Sequence, residues 1–498
     1  MLWDERGGGE FVRVLLISAN TETITMPTLP LGLACVAAAT RNAGHEVALL
    51  NLMFEGEPML GLRASVEDFR PHVIGISVRN IDDQKMLEPR FMLAPVREVI
   101  ASCRSLSDAP IVLGGAGYSI FPESTLRYLG ADLGIQGEGE IVFPLLVDRI
   151  SKGGEVSDLP GIHLPSPPPS FPRKRGSTAE VDPRLRGGDN RSSFRQGADV
   201  RAVPPSTLLR AVPSALLRDA ERSRSVSASR TGQPPRRYYE KNLDALPLPE
   251  PNLWIPPGVD QHNLWVPVQS RRGCPLDCTF CSTRAIEGRA IRRRSPEQMV
   301  KWLAELREAG CRNFNFVDNT FNLPPTYAKD LCRQVIQAQL DLNLWCIIYP
   351  KAVDAELVEL MRQAGCCQIS FGFESGSDRM LRSLNKRFDK REVSAISNRF
   401  AEAGIKRMGF LLLGSPGETK DSVEESLSFA DSLHLESLKI TVGLRIYPQT
   451  PLARTALAEG VISAEEDLLW PRFYLMPELR DWLPGRVDAF KSSRPWVN

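Results

Sequence analysis

The stretch VQSRRGCPLDCTFCSTR, residues 268–284, indicates how the chain is built, because it places three cysteines in a CxxxCxxC pattern directly after a predicted β-strand. Gly273 precedes the three cysteines, Cys274, Cys278 and Cys281, and proline and aspartate lie between the first two, which is typical of a loop and not of core packing. Three thiolates this close can hold one iron–sulfur cube and leave its fourth iron without a protein ligand. The alternative, a structural zinc ion, requires four Cys or His ligands, and this loop contains no histidine. The loop therefore predicts an iron–sulfur site whose open iron binds a substrate or cofactor.

Six predicted strands alternate with five predicted helices around and after this loop. The strands are short apolar runs at residues 266–270, 313–318, 343–348, 368–374, 406–413 and 436–442. The helices fit residues 296–309, 326–339, 355–364, 390–403 and 420–433. Six such units are too few for a closed eight-stranded barrel and predict an open, partial (β/α)6 barrel, whose chemistry is expected at the carboxyl ends of its strands.

A second block of strands and helices precedes the barrel. Short apolar runs begin at residues 12, 45, 72, 110 and 131, and predicted helices such as residues 31–43 and 140–150 separate them. Nearly continuous apolar strands that alternate with helices are typical of a parallel sheet covered on both faces. The chain is therefore predicted to be an α/β protein with an N-terminal doubly wound, Rossmann-like domain.

Between these two blocks, residues 165–237 differ in composition from the rest of the chain. They hold 11 of the 39 prolines, and 15 lysines and arginines against 6 aspartates and glutamates. Their net charge of +9 leaves about −8 for the rest of a chain whose total is +1. Such a segment buries too little apolar surface to offset the entropy lost on ordering, so we predict a disordered, basic, proline-rich insertion or linker. A basic arm that binds nucleic acid or an acidic partner is the less favoured alternative.

This segment divides the chain into an N-terminal domain (1–164), the linker (165–237), the barrel (238–460) and a short C-terminal extension (461–498). Ten cysteines among 498 residues are too few for a disulfide scaffold. No apolar run approaches the ~20 residues of a membrane span, and the N-terminus is acidic where a signal peptide is basic. We therefore expect a cytoplasmic protein without a membrane span, and the balanced total charge makes nucleic acid an unlikely partner.

Four further motifs follow the cysteine loop: FVDNTFN from residue 316, FGFESGS from residue 371, LNKRF from residue 384 and MGFLLLGSPGET from residue 408. With CxxxCxxC, they resemble the radical S-adenosylmethionine (SAM) superfamily over residues 265–460, in which three cysteines hold a [4Fe–4S] cluster and SAM chelates its open iron. The resemblance implies that Cys274, Cys278 and Cys281 bind the cluster. It also implies SAM contacts from Phe280 near the adenine, Asp318 and Asn319 at the amino group, Glu374 and Ser375 at the ribose, Lys386 at the carboxylate, and Gly414 beside the nucleoside. Asp318 and Asn319 stand where the family has Gly-Gly-Glu.

Glycine-rich turns follow the predicted strands of the N-terminal block, at GISV from residue 75, VLGGAGYS from residue 112 and IQGEGE from residue 135. Such turns let the backbone approach a large flat ligand, and the residues alone do not distinguish a corrin from a nucleotide. Together with the segment from Thr28, they resemble the cobalamin-binding domains that precede radical SAM domains. The resemblance implies cobalamin contacts from Asn20, Leu31, Gly32, Ser77, Gly114, Gly115, Gly137, Glu138 and Gly139. The loop of residues 18–27 has no histidine, so we expect cobalamin bound without a histidine ligand.

The two resemblances together imply a cobalamin-dependent radical SAM enzyme. A methyltransferase acting on an unactivated carbon, through a 5′-deoxyadenosyl radical and methylcobalamin, is the leading hypothesis. A cyclase or ring-modifying enzyme similar to the anaerobic porphyrin cyclases is the second, and a defective, non-enzymatic copy is the third. A methylthiotransferase is disfavoured because the chain has no second cysteine triad. The partners implied are a small-molecule, lipid or peptide substrate and a reductase or flavodoxin as electron donor.

Overall fold

The computed structural model describes residues 11–22, 27–165, 237–257 and 263–497. The strands of the N-terminal domain are β1 (Arg13–Ser18), β2 (Glu46–Asn51), β3 (Val73–Ser77), β4 (Ile111–Gly114), β5 (Leu133–Ile135) and β6 (Ile162–His163). Its helices are α1 (Leu31–Asn42), α2 (Pro58–Phe69), α3 (Leu93–Leu106), α4 (Ala116–Ile120), α5 (Pro122–Leu129) and α6 (Gly139–Ser151), with a 3-10 turn at Leu52–Phe54.

The strands of this domain form one sheet in the order β2-β1-β3-β4-β5-β6. All neighbours are parallel except β6, which pairs antiparallel with β5. The predicted doubly wound α/β domain is therefore confirmed. Because the strand order reverses between β1 and β3, their carboxyl ends flank a crevice of the kind in which such sheets bind ligands.

The second domain contributes ten further strands. They are β7 (Trp265–Val268), β8 (Arg271–Arg272), β9 (Arg292–Arg293), β10 (Asn313–Phe316), β11 (Asn343–Ile348), β12 (Cys366–Glu374), β13 (Lys406–Leu413), β14 (Ser437–Val442), β15 (Leu444–Arg445) and β16 (Phe473–Tyr474). Its helices are α7 (Pro251–Trp254), α8 (Thr283–Glu287), α9 (Pro296–Glu308), α10 (Pro325–Ala338), α11 (Ala355–Gln363), α12 (Asp378–Ser383), α13 (Lys390–Glu402), α14 (Lys420–Ser432), α15 (Pro451–Ala458) and α16 (Leu483–Ser492), with 3-10 turns at Leu243–Ala245 and Pro477–Leu479.

Strands β7, β10, β11, β12, β13 and β14 form one parallel sheet in sequential order, with β7 and β14 at its edges. This is the open, six-stranded partial barrel that the sequence predicts. Four of the surrounding helices begin where a side chain accepts a backbone N–H of the first turn: Ser295 for α9, Asp354 for α11, Asp389 for α13 and Thr419 for α14. These caps fix where each strand-to-helix loop ends.

Two hydrophobic cores hold the molecule together, and each contains residues of both domains. In the first, side chains of α1 and α6 pack in one continuous cluster with the outer face of the barrel. In the second, side chains of α2, α3 and α5 pack with residues that follow the barrel, such as Leu444 and Leu452. A buried ion pair joins the domains beside this second core, where Arg445 Nε lies 2.8 Å from Asp82 Oδ2.

Residues 461–497, predicted as a short C-terminal extension, are packed into these cores. Leu479, Leu483 and Phe490 enter the first core, and Tyr474 enters the second. The backbone N–H of Leu438 donates to the carbonyl of Trp496, so the tail also covers the edge strand β14.

Residues 166–236, which hold nearly all of the predicted basic linker, lie outside the described residues. Within the described ranges, no helix is both long and apolar enough to cross a lipid bilayer.

Candidate functional site

The carboxyl edges of the two sheets face each other across a cavity of about 380 Å³. All nine residues predicted from the N-terminal domain line this one cavity: Asn20, Leu31, Gly32, Ser77, Gly114, Gly115, Gly137, Glu138 and Gly139. The barrel side is lined by Pro267, Gln269, Arg272, Ile286, Glu287 and Val317. No histidine is among the described residues that line it. A wide, mostly apolar cleft with glycine turns along one side fits a flat ligand such as a corrin.

Glycine has a different structural reason at position 114 than at position 115. A Cβ at Gly114 would meet nothing within 4 Å, so this position opens directly onto the cavity. Gly115 has a φ of +101°, and a Cβ there would lie 2.6 Å from the carbonyl oxygen of Val78. We predicted that Gly115 lets a ligand approach; its closest constraint is instead the backbone of the neighbouring strand end.

The carboxylate of Glu138, which stays a predicted cobalamin contact, joins the two domains. Its Oε1 accepts from Arg292 at 2.5 Å and lies 3.4 Å from Arg272. Its Oε2 accepts from the backbone N–H of Glu240 at 2.9 Å. Glu138 therefore lines the cavity with its carboxylate already occupied by protein donors.

Glu140, two residues later in the same motif, makes a second contact of this kind. Its Oε1 accepts from Arg272 Nη2 at 2.5 Å, and both side chains are buried. Burial opposes the charge of Glu140, but the Arg272 guanidinium outweighs burial and lowers the pKa of Glu140. The IQGEGE motif thus contributes glycines to the cavity wall and two carboxylates to the domain interface.

Replacing Arg292 with leucine should destabilise the protein by about 3 kcal/mol or more, because it leaves the buried Glu138 carboxylate short of its main partner. Urea unfolding followed by circular dichroism measures this change. Arg293→Leu is the matched control, because Arg293 is exposed and should cost well under about 1 kcal/mol. Adding Glu138→Gln to Arg292→Leu should recover part of the loss. Equal stability of Arg292→Leu and the native chain would contradict this role of the interface.

The three loop cysteines lie close together and are all free thiols, Cys274 buried and Cys278 and Cys281 half-buried. Burial raises the pKa of Cys274 and of Cys278. The Cys278 and Cys281 thiols raise the pKa of Cys274 further, and Cys281 does the same to Cys278. Among the described residues, no three His, Cys, Asp or Glu side chains converge closely enough to hold a single metal ion. A [4Fe–4S] cube binds each thiolate through a different iron, so its ligands stay apart, and three thiols on one loop fit it.

Three hydrogen bonds hold the cysteine loop in place. The backbone N–H of Cys274 donates to the carbonyl of Gly288 at 3.2 Å. The carbonyl of Thr279 accepts from Leu452 N–H at 3.0 Å, and Gly273 N–H donates to Glu287 Oε2 at 3.0 Å. These contacts fix the position of the cysteine loop relative to α8 and α15.

Three of the predicted SAM residues meet beside this loop. Lys386 Nζ lies 3.1 Å from Glu374 Oε1 and 5.3 Å from the centre of the Phe280 ring. Burial opposes the charge of Lys386, but Glu374 and the Cys278 thiol outweigh it and raise the pKa of Lys386. A charged pair and an aromatic ring next to the cysteines can bind a zwitterionic nucleoside such as SAM.

Asp318 lies behind the site, which departs from its predicted contact with the SAM amino group. Its side chain is fully buried, and Oδ1 accepts from the backbone N–H groups of Ser270 at 2.8 Å and Arg271 at 3.1 Å. Oδ2 accepts from Ser270 Oγ at 2.5 Å. Asp318 therefore fixes the turn that leads from β7 into the cysteine loop, while Asn319 is half-buried and nearer the loop.

Ser375 and Gly414 also support the strand ends from within. Ser375 Oγ shares a hydrogen bond of 2.9 Å with Ser426 Oγ and accepts from the N–H of Ser377. Gly414 has a φ of +100°, and its N–H donates to the buried carboxylate of Glu418. Burial raises the pKa of Glu418 to about 7. Both predicted residues therefore shape turns at the edge of the barrel.

Arg79, Gln269 and Glu287 are among the lining residues that were not predicted. Gln269 directly follows β7 and Arg79 lies two residues after β3, and this position after a strand could have identified them. Glu287 follows no strand, yet its Oε2 accepts from Asn319 Nδ2 at 2.6 Å and its Oε1 from Gln269 Nε2 at 3.0 Å. Burial raises the pKa of Glu287. This carboxyl connects the cysteine loop, Asn319 and the cavity, and no sequence pattern marks it.

Comparisons with known proteins match both halves of the chain. The B12 binding domain matches residues 17–147, and the radical SAM superfamily matches residues 268–430. An uncharacterised methyltransferase of Pyrococcus horikoshii is 24% identical over 91% of this chain and 84% of its own. Tryptophan 2-C-methyltransferase of Streptomyces laurentii is 25% identical over 88% of this chain and 74% of its own length. The structure of the radical SAM methyltransferase TsrM of Kitasatospora setae, with tryptophan and a SAM analogue bound, superposes with a TM-score of 0.73 over 97% of this chain and 90% of its own, at 22% identity.

Proposed function

Since the chain is a cobalamin-dependent radical SAM protein, we propose that it is a methyltransferase that acts on an unactivated carbon atom. The observation that carries this proposal is one cavity between the two domains. The glycine turns of the B12-binding domain line one side of it, and Glu287, which accepts a hydrogen bond from Gly273 before the cysteine loop, lines the other. Relatives matched over most of their length are named as methyltransferases. When bound, the [4Fe–4S] cluster and SAM supply a radical that removes a substrate hydrogen atom, and methylcobalamin supplies the methyl group.

In this proposal the residues of the chain would hold three cofactors. Cys274, Cys278 and Cys281 would hold the cluster, and Phe280, Glu374 and Lys386 would form one wall of the SAM site. Asp318, Ser375 and Gly414 support that wall from behind, and Asn319 lies at its end. The glycine turns and Arg79 form the cobalamin side of the cavity. The Glu138 and Glu140 ion pairs hold the two domains together beside this cavity.

Such chemistry takes place in a reducing compartment, so we place the protein in the cytoplasm with a one-electron donor of the flavodoxin type as its partner. A small molecule is the simplest substrate for a cavity enclosed between two domains.

The methyltransferase hypothesis can be tested without knowing the substrate. Anaerobically reconstituted protein with bound cobalamin, a reductant and SAM should release about one S-adenosylhomocysteine per cobalamin in a single burst, because methylation of cobalamin consumes one SAM. The same protein without cobalamin should release none. Liquid chromatography with mass spectrometry measures this product and 5′-deoxyadenosine together. Release of 5′-deoxyadenosine alone would contradict methyl transfer and favour a cyclase, the second hypothesis.

A further inference from the structure

Four cations lie near the cysteine loop, either by contact or by their position in the sequence: Arg284, Arg289, Lys351 and Arg387, here called the basic rim. Arg284 Nη2 donates to the carbonyl of Pro275 at 3.2 Å, and Arg387 Nη2 lies 3.0 Å from the Asp277 carboxylate. Lys351 Nζ donates to the carbonyl of Arg387. Arg289 follows Gly288, whose carbonyl binds the N–H of Cys274. The basic rim is therefore continuous with the loop that carries the cysteines.

Three of the four cations of the basic rim are open to solvent. Arg289, Lys351 and Arg387 are exposed, and so is Pro275 within the loop. No residue of the rim, and neither Pro275 nor Asp277, lines the cavity between the domains. The outer face of the loop is thus a surface by which another molecule can come close to the cluster without entering the cofactor cavity.

The charge of this surface is opposite to that of the remaining folded chain. Among the described residues, two carboxylates pair with cations of the rim: Asp277 with Arg387, and Glu392, which lies 3.7 Å from Lys351. The rim therefore keeps a net positive charge, whereas the chain outside residues 165–237 has a net charge of about −8. A local positive surface on an acidic protein attracts acidic partners and directs them to one face.

We propose that the basic rim is the docking surface of a small, acidic, one-electron carrier protein that reduces the cluster. The inference rests on the proposed function, since that chemistry consumes electrons from outside the protein. In the transfer, the anionic flavin hydroquinone of a flavodoxin loses one electron and keeps its proton, and the cluster is reduced from the 2+ to the 1+ state. A small, charged contact suits such a carrier, because electron-transfer complexes are weak and bury little surface.

The test follows cluster reduction directly, with an acidic bacterial flavodoxin and its NADPH-dependent reductase as the probe. In full-length protein with a reconstituted cluster, Arg289→Glu/Lys351→Glu should slow reduction by flavodoxin about tenfold or more at low salt. Rising ionic strength should slow the native protein and have little effect on the variant. Stopped-flow loss of cluster absorbance gives both rates. Neither cobalamin nor substrate is needed, so failure of the methyltransferase hypothesis would leave this result unaffected.

Two controls separate docking from damage to the loop. Reduced methyl viologen, a small cation, should reduce the clusters of the native protein and the variant at similar rates, and their iron contents should match. Arg63→Glu/Lys301→Glu makes the same charge change at exposed positions on α2 and α9 and should leave reduction by flavodoxin unchanged. Equal slowing in this control, or no slowing in the rim variant, would overturn the proposal.

Discussion

Alanine in place of Cys278 is expected to abolish assembly of the [4Fe–4S] cluster and, with it, cleavage of SAM. Cys278 is one of only three thiols on the loop, and it lies beside both Lys386 and Glu374, so its loss removes an iron ligand at the point where the SAM site begins. Native protein reconstituted without oxygen should hold about four irons per chain, and the variant should hold few and lack the visible absorbance of the cluster. Iron analysis, absorbance and 5′-deoxyadenosine formation measure the three effects.

Cys367→Ala is the matched control for this prediction. Cys367 is also half-buried, but it lies on β12, where its thiol donates to the carbonyl of Leu344 at 3.6 Å. This variant should keep the cluster and SAM cleavage. A Cys278→Ala protein with a normal cluster would show that the ligands are other cysteines.

Phenylalanine in place of Gly114 is expected to lower the affinity for cobalamin by at least about 100-fold and to leave the iron content unchanged. The position opens into the cavity and has no positive φ, so the ring can enter the cavity without straining the backbone. It would then fill the space that the corrin needs. Equilibrium binding of hydroxocobalamin, followed by absorbance, measures the loss.

The choice of Gly114 matters because the same change at Gly115 would collide with the Val78 carbonyl and disturb β3 whether or not a ligand binds there. Gly485→Phe is the control, since Gly485 is exposed on α16 with nothing near its Cβ position. Normal binding of cobalamin by Gly114→Phe would move the corrin away from this side of the cavity.

The fold could be predicted from the sequence because its long elements repeat one local pattern. All six main barrel strands and the five helices after them lie within two residues of their predicted bounds. The short strands β8, β9, β15 and β16 were missed, since two residues carry no periodicity. The packing of residues 461–497 was also missed, because it depends on contacts with elements distant in sequence.

The site residues that could be predicted best are those that follow a parallel strand, because the direction of the chain then determines the sheet edge at which they lie. The cavity-lining residues of the B12-binding domain follow their strands, so their positions at one sheet edge could be inferred. The roles of Glu138 and Asp318 could not, because each carboxylate is occupied by donors far along the chain, Arg292 and Ser270. A sequence pattern can place a carboxylate at the edge of a sheet. It does not reveal which arginine or backbone N–H donates a hydrogen bond to that carboxylate.

Each of the two hydrophobic cores contains residues of both domains, and this has a consequence for protein engineering. A chimaera that takes its B12-binding domain from a relative would have to match two apolar surfaces, the arginines at 272 and 292, and the Asp82–Arg445 contact at once. The natural unit of exchange is therefore the whole pair of domains. We expect new substrate specificities in this lineage to arise by substitution at the barrel mouth more readily than by recombination between the domains.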